Sequence, residues 1–482
     1  MNDQLLIGGK LVDARDGRRF ETINPATEEI VGAAADATAD DLDDAIAAAR
    51  AAFDDGEWAT DAAFRANAIR QLRDAMRDSV EALRTLTVAE VGAPVMLTSG
   101  AQLEAPIEDL GWVADLAESY EWVHDLGPRT SLGIRSRREL RREAAGVVAA
   151  VTPWNFPHQL NLAKLGPALA AGCTVVLKAA PDTPLCALAL AQLIAERTDI
   201  PPGVVNIVTS SDHGIGAQLV ADPRVDLVSF TGSTATGKAV MAAAAQTVKR
   251  CFLELGGKSA FVILDDADLA AACSYAGFSG IVHAGQGCAI TSRVLLPRAQ
   301  FDDGVSALAE TMASIGCGDP SEPTTVCGPL ISDRQRSRVE AYLAMAASDG
   351  ASFACGGGRP DADRGFYISP TLAVGLDNTS RIAREEVFGP VLVALPYDGD
   401  AQAVAIANDS PYGLSGAVFG TDPERANAVA RGIRSGTVGV NGGLWYSADV
   451  PFGGYKQSGI GREMGVLGFE EYLQTKTIAN PA

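Results

Sequence analysis

The sequence is poor in the residues that build metal centres and in those that bind polyanions. Its 482 residues include four histidines and eight cysteines, and no two cysteines have C-x-x-C spacing. Zinc and iron–sulfur sites need clustered thiolates or imidazoles, so no metal site is expected. No apolar run approaches the roughly 18 residues of a membrane helix, so no span is expected. The N-terminal MNDQLLIGGK carries an acid and lacks the apolar stretch of a secretory signal. Free thiols then fit a reducing, cytoplasmic compartment. Positive charge is outnumbered, with 39 basic against 60 acidic residues and a net charge of −21. Such a surface repels phosphate backbones and anionic lipid, so neither nucleic acid nor a membrane is an expected partner. Only eight of the basic residues are lysines, so each lysine merits individual inspection.

What is present is globular: 47% hydrophobic and 21% charged residues, with 50 Gly and 24 Pro. At about 150 residues per domain the length predicts two to four domains. Residues 4–32 read as short strands with turns at Gly8-Gly9 and Asn24-Pro25, and residues 39–90 read as Leu/Ala-periodic helices. From about residue 146 the apolar runs GVVAAV, TVVLKA, GVVNIVT and VDLVSF alternate with helical segments. Continuous Val/Ile/Leu strands between helices predict an α/β fold with a parallel sheet covered on both faces. A second series, FVIL, RVLL, VLVAL, GAVFG and TVGV, follows Glu254 and predicts a second α/β domain. The basic segment near 117–145 and the closing EYLQTKTIANPA fit neither sheet. Strands outside both sheets are candidates for contacts between subunits, although a plain surface hairpin would read the same way.

Four local patterns carry chemistry. Phe230-Thr-Gly-Ser-Thr-Ala-Thr-Gly237 follows a strand and opens a helix, where free N–H groups favour a pyrophosphate. Its middle glycine is replaced by Thr234, and Ser233 would serve equally as a helix cap. Gly285-Gln-Gly-Cys288 sets a thiol among small residues, accessible to a substrate, although most cysteines are inert small hydrophobes. Glu254-Leu-Gly-Gly-Lys258 places a carboxylate at the end of an apolar run, where burial raises its pKa toward that of a usable base. Pro153-Trp-Asn-Phe-Pro157 fixes an amide donor between prolines and aromatics.

Taken together and in order, VTPWNFP, ALAAGCTVVLKAA, FTGST, ELGGKS, GQGC, EEVFGPV and PFGGYKQSGIGRE resemble the signatures of the aldehyde dehydrogenase superfamily over essentially the whole chain. The resemblance implies a Rossmann-like cofactor domain over 1–116 and 142–253 and a catalytic domain over 254–468. It also implies a small β element, 117–141 with 469–482, that builds homodimers or homotetramers. It implies that Cys288 is the nucleophile, Asn155 the oxyanion donor and Glu254 the base that activates water. Lys164 and Glu463 fall in matched segments as proton-path residues or as structural salt-bridge partners. For NAD, with NADP accepted, the matched positions are Trp154, Lys178, Pro181, Gly232, Ser233, Gly237, Leu255, Glu386 and Phe388. Many NAD-preferring relatives place a Glu where Pro181 stands; Asp182 next to it could restore that repulsion, and no Arg is expected to adjoin this segment and attract a phosphate.

The expected substrate pocket lies near Phe156, Leu160, Ala163, Ala289, Trp445 and Tyr446. These are apolar or aromatic and include no Arg to hold a second carboxylate, so an apolar or aromatic aldehyde is expected. Two other readings stand beside hydrolysis to a carboxylate. One is a CoA-acylating enzyme, against which the presence of Glu254 argues. The other is a non-catalytic homologue with a binding role, against which intact Cys288, Glu254 and Asn155 argue.

Overall fold

A computed structural model describes residues 2–482. Three sheets organise the chain, with a short two-stranded ribbon of Arg19–Ile23 and Ile30–Ala35 beside them. The first sheet has eight strands in the order Gly459–Ile460, Arg250–Glu254, Leu227–Thr231, Val147–Val151, Thr174–Lys178, Val205–Val208, Leu5–Ile7 and Lys10–Val12. The five strands from Arg250–Glu254 to Val205–Val208 are parallel, as the alternation of apolar runs and helices predicts. Their side chains alternate between two cores. Val148, Val175, Leu177 and Ile207 face one core, while Val147, Ala149, Val176 and Val208 face the other. Burial on both faces is why these strands read as continuous Val/Ile/Leu runs rather than as alternating patterns.

The second sheet has seven strands, and the five motifs read after Glu254 supply Ala260–Ile263, Arg293–Pro297, Val391–Tyr397, Gly416–Phe419 and Gly439–Val440. Thr371–Val374 and the antiparallel edge Ser352–Cys355 complete it. The sequence reading missed these two, and the edge strand Ser352–Cys355 is only partly buried. Gly459–Ile460 departs from the sequence-based division, since it pairs with Leu253 and Glu254 and so returns part of the 254–468 segment to the first sheet.

The two stretches outside both sheets come together. Val123–Ser131, Ile134–Ala144 and Leu473–Pro481 form a three-stranded antiparallel sheet, in which Leu473 pairs with Ala144 and Pro481 with Ser136. Leu132 at its hairpin tip is 99% exposed and Ile134 is 67% exposed. Among the described residues no helix is long and apolar enough to cross a membrane.

Candidate active site

The chemistry-bearing motifs gather beyond the carboxyl ends of the parallel strands, where an open α/β sheet leaves its crevice. Asn155 follows Val147–Val151, Lys178 ends Thr174–Lys178, Ser233 follows Leu227–Thr231 and Glu254 ends Arg250–Glu254.

Cys288 reaches this crevice from the other α/β unit. Helix Leu269–Ile281 ends, and His283, Ala284 and Gly285 then follow at φ of 54°, 52° and 69°. Three successive left-handed residues, two of them with a Cβ, are strained and persist only where neighbours over-determine them. Those neighbours are visible. The His283 N–H donates to Val326 O at 3.0 Å, and a Cβ on Gly285 would lie 2.1 Å from Gly389 O. Gln286 ties the loop down with Nε2 donating to Pro329 O at 3.2 Å and Oε1 accepting from Ile331 N at 2.9 Å. His283 Nε2 lies 2.9 Å from Asn155 O. A carbonyl can only accept, so the ring proton sits on Nε2. Burial pushes this imidazole down to about 4, so it stays neutral. Asn155 in turn donates through Nδ2 to Gln286 O at 3.0 Å, and its own carbonyl also accepts from Gln102 Nε2 at 2.9 Å. Asn155 and Cys288 are thus held by one hydrogen-bonded frame.

The glycine turn after Glu254 is required by close approach. A Cβ on Gly257 would lie 2.5 Å from Cys288 O, and one on Gly256 would lie 2.3 Å from Glu386 Oε2. Glu386 accepts from Gly257 N at 3.0 Å, and burial pushes its carboxyl up to about 6. Glu254 is 1% exposed, and neither of its carboxylate oxygens has a partner. Burial, and then the nearby Glu463 carboxylate, push it up to about 8. Burial and the Glu254 carboxylate also hold the Cys288 thiol well above its ordinary value. A protonated thiol thus sits beside a buried carboxyl group, each perturbed by burial and by the other. Behind them Lys164 Nζ meets Glu463 Oε1 at 2.9 Å and Ser229 Oγ at 3.3 Å, all fully buried.

Cys288 lies where two cavities meet. One, of about 190 Å³, is lined by Trp154, Gly232, Ser233, Glu254, Leu255, Glu386 and Phe388 together with Asn155 and Cys288. Gln335 and Arg338, on helix Asp333–Ser348, also line it. Sequence reasoning missed both, because they stand in no motif quoted above. The other cavity, of about 280 Å³, is lined by Phe156, Leu160, Ala289, Trp445 and Tyr446, again with Asn155 and Cys288. Phe261, Tyr275, Phe419 and Phe452 are further aromatic walls that the sequence reading did not include. Ala163 lies apart, in a smaller cavity that shares Gln159 and Tyr446 with the larger one.

Three expected cofactor positions do not line the first cleft. Gly237 packs instead on Leu255, where a Cβ would meet Leu255 Cδ2 at 2.5 Å. Pro181 sits in the turn before helix Pro184–Arg197, and Lys178 is buried beside it, pushed down to about 8 by that burial. Ser233 lines the cleft and also caps helix Thr234–Ala244, accepting from Thr236 N at 3.2 Å. One sequence expectation is corrected here. An arginine does adjoin the Lys178–Asp182 segment, because the fold brings Arg334 Nη2 to 3.7 Å from Asp182 Oδ2.

Comparison with known proteins agrees with this geometry. The family model described as the aldehyde dehydrogenase family matches residues 11–478. A geranial dehydrogenase of Castellaniella defragrans is 39% identical over 480 residues, covering 99% of this chain and 98% of that protein. A 3-succinoylsemialdehyde-pyridine dehydrogenase of a Pseudomonas species is 43% identical over 480 residues, with 98% of each covered. The crystal structure of a Mycobacterium tuberculosis aldehyde dehydrogenase complexed with NAD+ matches with a TM-score of 0.95 at 42% identity, covering 100% of this chain and 98% of that one. With a thiol, an unpartnered acid and an amide donor converging between two cavities on this fold, the chain belongs to the aldehyde dehydrogenase family.

Proposed function

We propose that this enzyme oxidises an apolar or aromatic aldehyde to its carboxylate, with NAD as hydride acceptor, through a thioester on Cys288. The observation that carries this reading is Cys288 at the junction of a strongly apolar cavity and a less apolar cleft, with the unpartnered Glu254 carboxylate on the cleft side.

The cleft has the donors and acceptors that a dinucleotide needs. The N-terminus of helix Thr234–Ala244 and the Arg338 guanidinium suit phosphates, and the Glu386 carboxylate suits ribose hydroxyls. Bound there, NAD supplies the acceptor for the hydride of the substrate carbon. As Cys288 sulfur bonds to the aldehyde carbon, its proton is given up to solvent in the cleft that Cys288 lines. Asn155 Nδ2, released from Gln286 O, and the Cys288 backbone N–H hold the oxyanion, a donor worth about 3 kcal/mol in the transition state. Loss of hydride leaves the thioester. Glu254, once deprotonated, takes a proton from water as that water attacks the acyl carbon. The acid departs and the thiol is restored.

Geranial and 3-succinoylsemialdehyde-pyridine, named for two relatives, both have carbon bodies far larger than acetaldehyde. They support a roomy pocket here. We infer also that the three-stranded sheet, with its solvent-exposed Leu132 and Ile134, joins copies of this chain. Cys288→Ser tests the chemistry, because a hydroxyl is a far poorer nucleophile at neutral pH. It should abolish NAD reduction with a bulky apolar aldehyde, whereas the wild type forms the free acid without added CoA. Near-normal turnover in the variant, or acid formation that requires CoA, would refute this mechanism.

A further inference from the structure

We propose that Cys317 and Cys327 form a redox-active dithiol, a modification site separate from the nucleophile Cys288, with a low-molecular-weight disulfide as its oxidant. The two sulfurs lie 3.8 Å apart, and Gly318 N donates to Cys327 O at 3.1 Å, which holds the two backbones side by side. Cys317 Sγ also contacts Ile368 O at 3.1 Å. Cys327 is fully buried, whereas Cys317 is partly exposed. Bonding needs the sulfurs to close to about 2 Å. The turn carrying Cys317 can supply part of that movement, because Gly316 at φ 61° precedes it and a Cβ there would find no atom within 4 Å, and Cys327 moves by the remainder.

The exchange balances. The Cys317 thiolate attacks one sulfur of the small disulfide and expels one thiolate. Cys327, its proton given up to solvent, then attacks the Cys317 sulfur of the mixed disulfide and expels the second. The two protein thiols lose two protons and two electrons, and the small disulfide becomes two small thiols.

Closure would be felt at the catalytic centre. Val326, Pro329 and Ile331, around Cys327, hold His283 and Gln286, and Gln286 O holds Asn155 Nδ2. Pulling Cys327 toward Cys317 therefore strains the frame that aims the oxyanion donor.

The test equilibrates the full-length enzyme with mixtures of reduced and oxidised glutathione, quenches with an alkylating agent and maps cysteines by mass spectrometry. A cross-linked peptide pair joining Cys317 to Cys327 is expected, absent from Cys317→Ser. Turnover should fall at least threefold, recover with dithiothreitol, and hold steady in Cys317→Ser and Cys327→Ala. Two thiols that stay alkylatable in the most oxidising mixture, or a Cys317 that carries only glutathione, would overturn the dithiol. An activity loss that persists in Cys317→Ser would place the oxidation at Cys288 and overturn the coupling.

Discussion

Replacing Glu254 with Gln should separate the two halves of the reaction. Gln is nearly isosteric and fits the same buried space, but it cannot accept a proton from water. Hydride transfer precedes that step, so the variant should reduce about one coenzyme per subunit in a rapid burst and then stall as a thioester. General-base catalysis is typically worth about 10²–10⁴ in rate, so steady turnover should fall by at least 10². The wild type should show the same step through pH. Its Glu254 is pushed up to about 8, mainly by burial, and the active form is the carboxylate. Deacylation should therefore increase as pH rises through that value, by about tenfold between pH 7 and 9. Stopped-flow absorbance of the reduced coenzyme reads both phases. At pH 6 the wild type should show a burst resembling that of the variant, and at pH 9 the burst should merge into steady turnover. Steady turnover by Glu254→Gln with no trapped acyl-enzyme would mean that another group activates water.

Three further outcomes follow from named contacts. A wild-type aldehyde panel should be led by bulky apolar or aromatic aldehydes, each well-buried methylene adding about 0.8 kcal/mol; a panel led by acetaldehyde or succinate semialdehyde would refute this. NAD should be preferred, but NADP accepted with a penalty under about 3 kcal/mol, because Pro181 offers no carboxylate against a 2′-phosphate and Arg334 stands nearby. Pro181→Glu should widen that gap, whereas a wild type that rejects NADP more than a thousandfold contradicts the argument. Glu90 is fully buried, accepts from Leu185 N and Cys186 N, each at 2.8 Å, and is pushed up to about 7 by burial. The stability it contributes is complete below the ordinary carboxylate range and is lost as pH rises through 7, so wild-type Tm should fall from pH 5 to 8. Glu90→Gln should flatten that dependence while lowering stability by about 1–3 kcal/mol, since an amide cannot accept from both N–H groups.

The reach of the sequence is clearest where local pattern and local structure coincide. The first-sheet strands were legible because burial on both faces leaves an uninterrupted apolar run, as in Thr174–Lys178. The third sheet was half legible. Its strands stood out as belonging to neither α/β unit, but the pairing of Leu473–Pro481 with Ile134–Ala144 spans more than 300 residues and has no local signal. Cys288, Asn155 and Glu254 could be named because their motifs, each modest alone, fall in the order of a family's signatures. Gln335 and Arg338 could not, because they are ordinary polar residues on an amphipathic helix and acquire meaning only when that helix lands beside Glu386. Arg334 shows the same limit, since it meets Asp182 across about 150 residues of chain. The left-handed run at His283 and Ala284 was equally hidden, because neither residue type announces a positive φ.

The meeting of two cavities at a single sulfur also has a kinetic meaning. On the proposed mechanism coenzyme and aldehyde occupy different cavities that share Cys288, so occupation of one need not block entry to the other. An apolar tail in the aromatic cavity and a nucleotide in the less apolar cleft can therefore be carried by one molecule, joined across the thiol by a short neutral link. Such a bisubstrate ligand would compete with both reactants at once, and its affinity would exceed that of either half by the entropy of joining them.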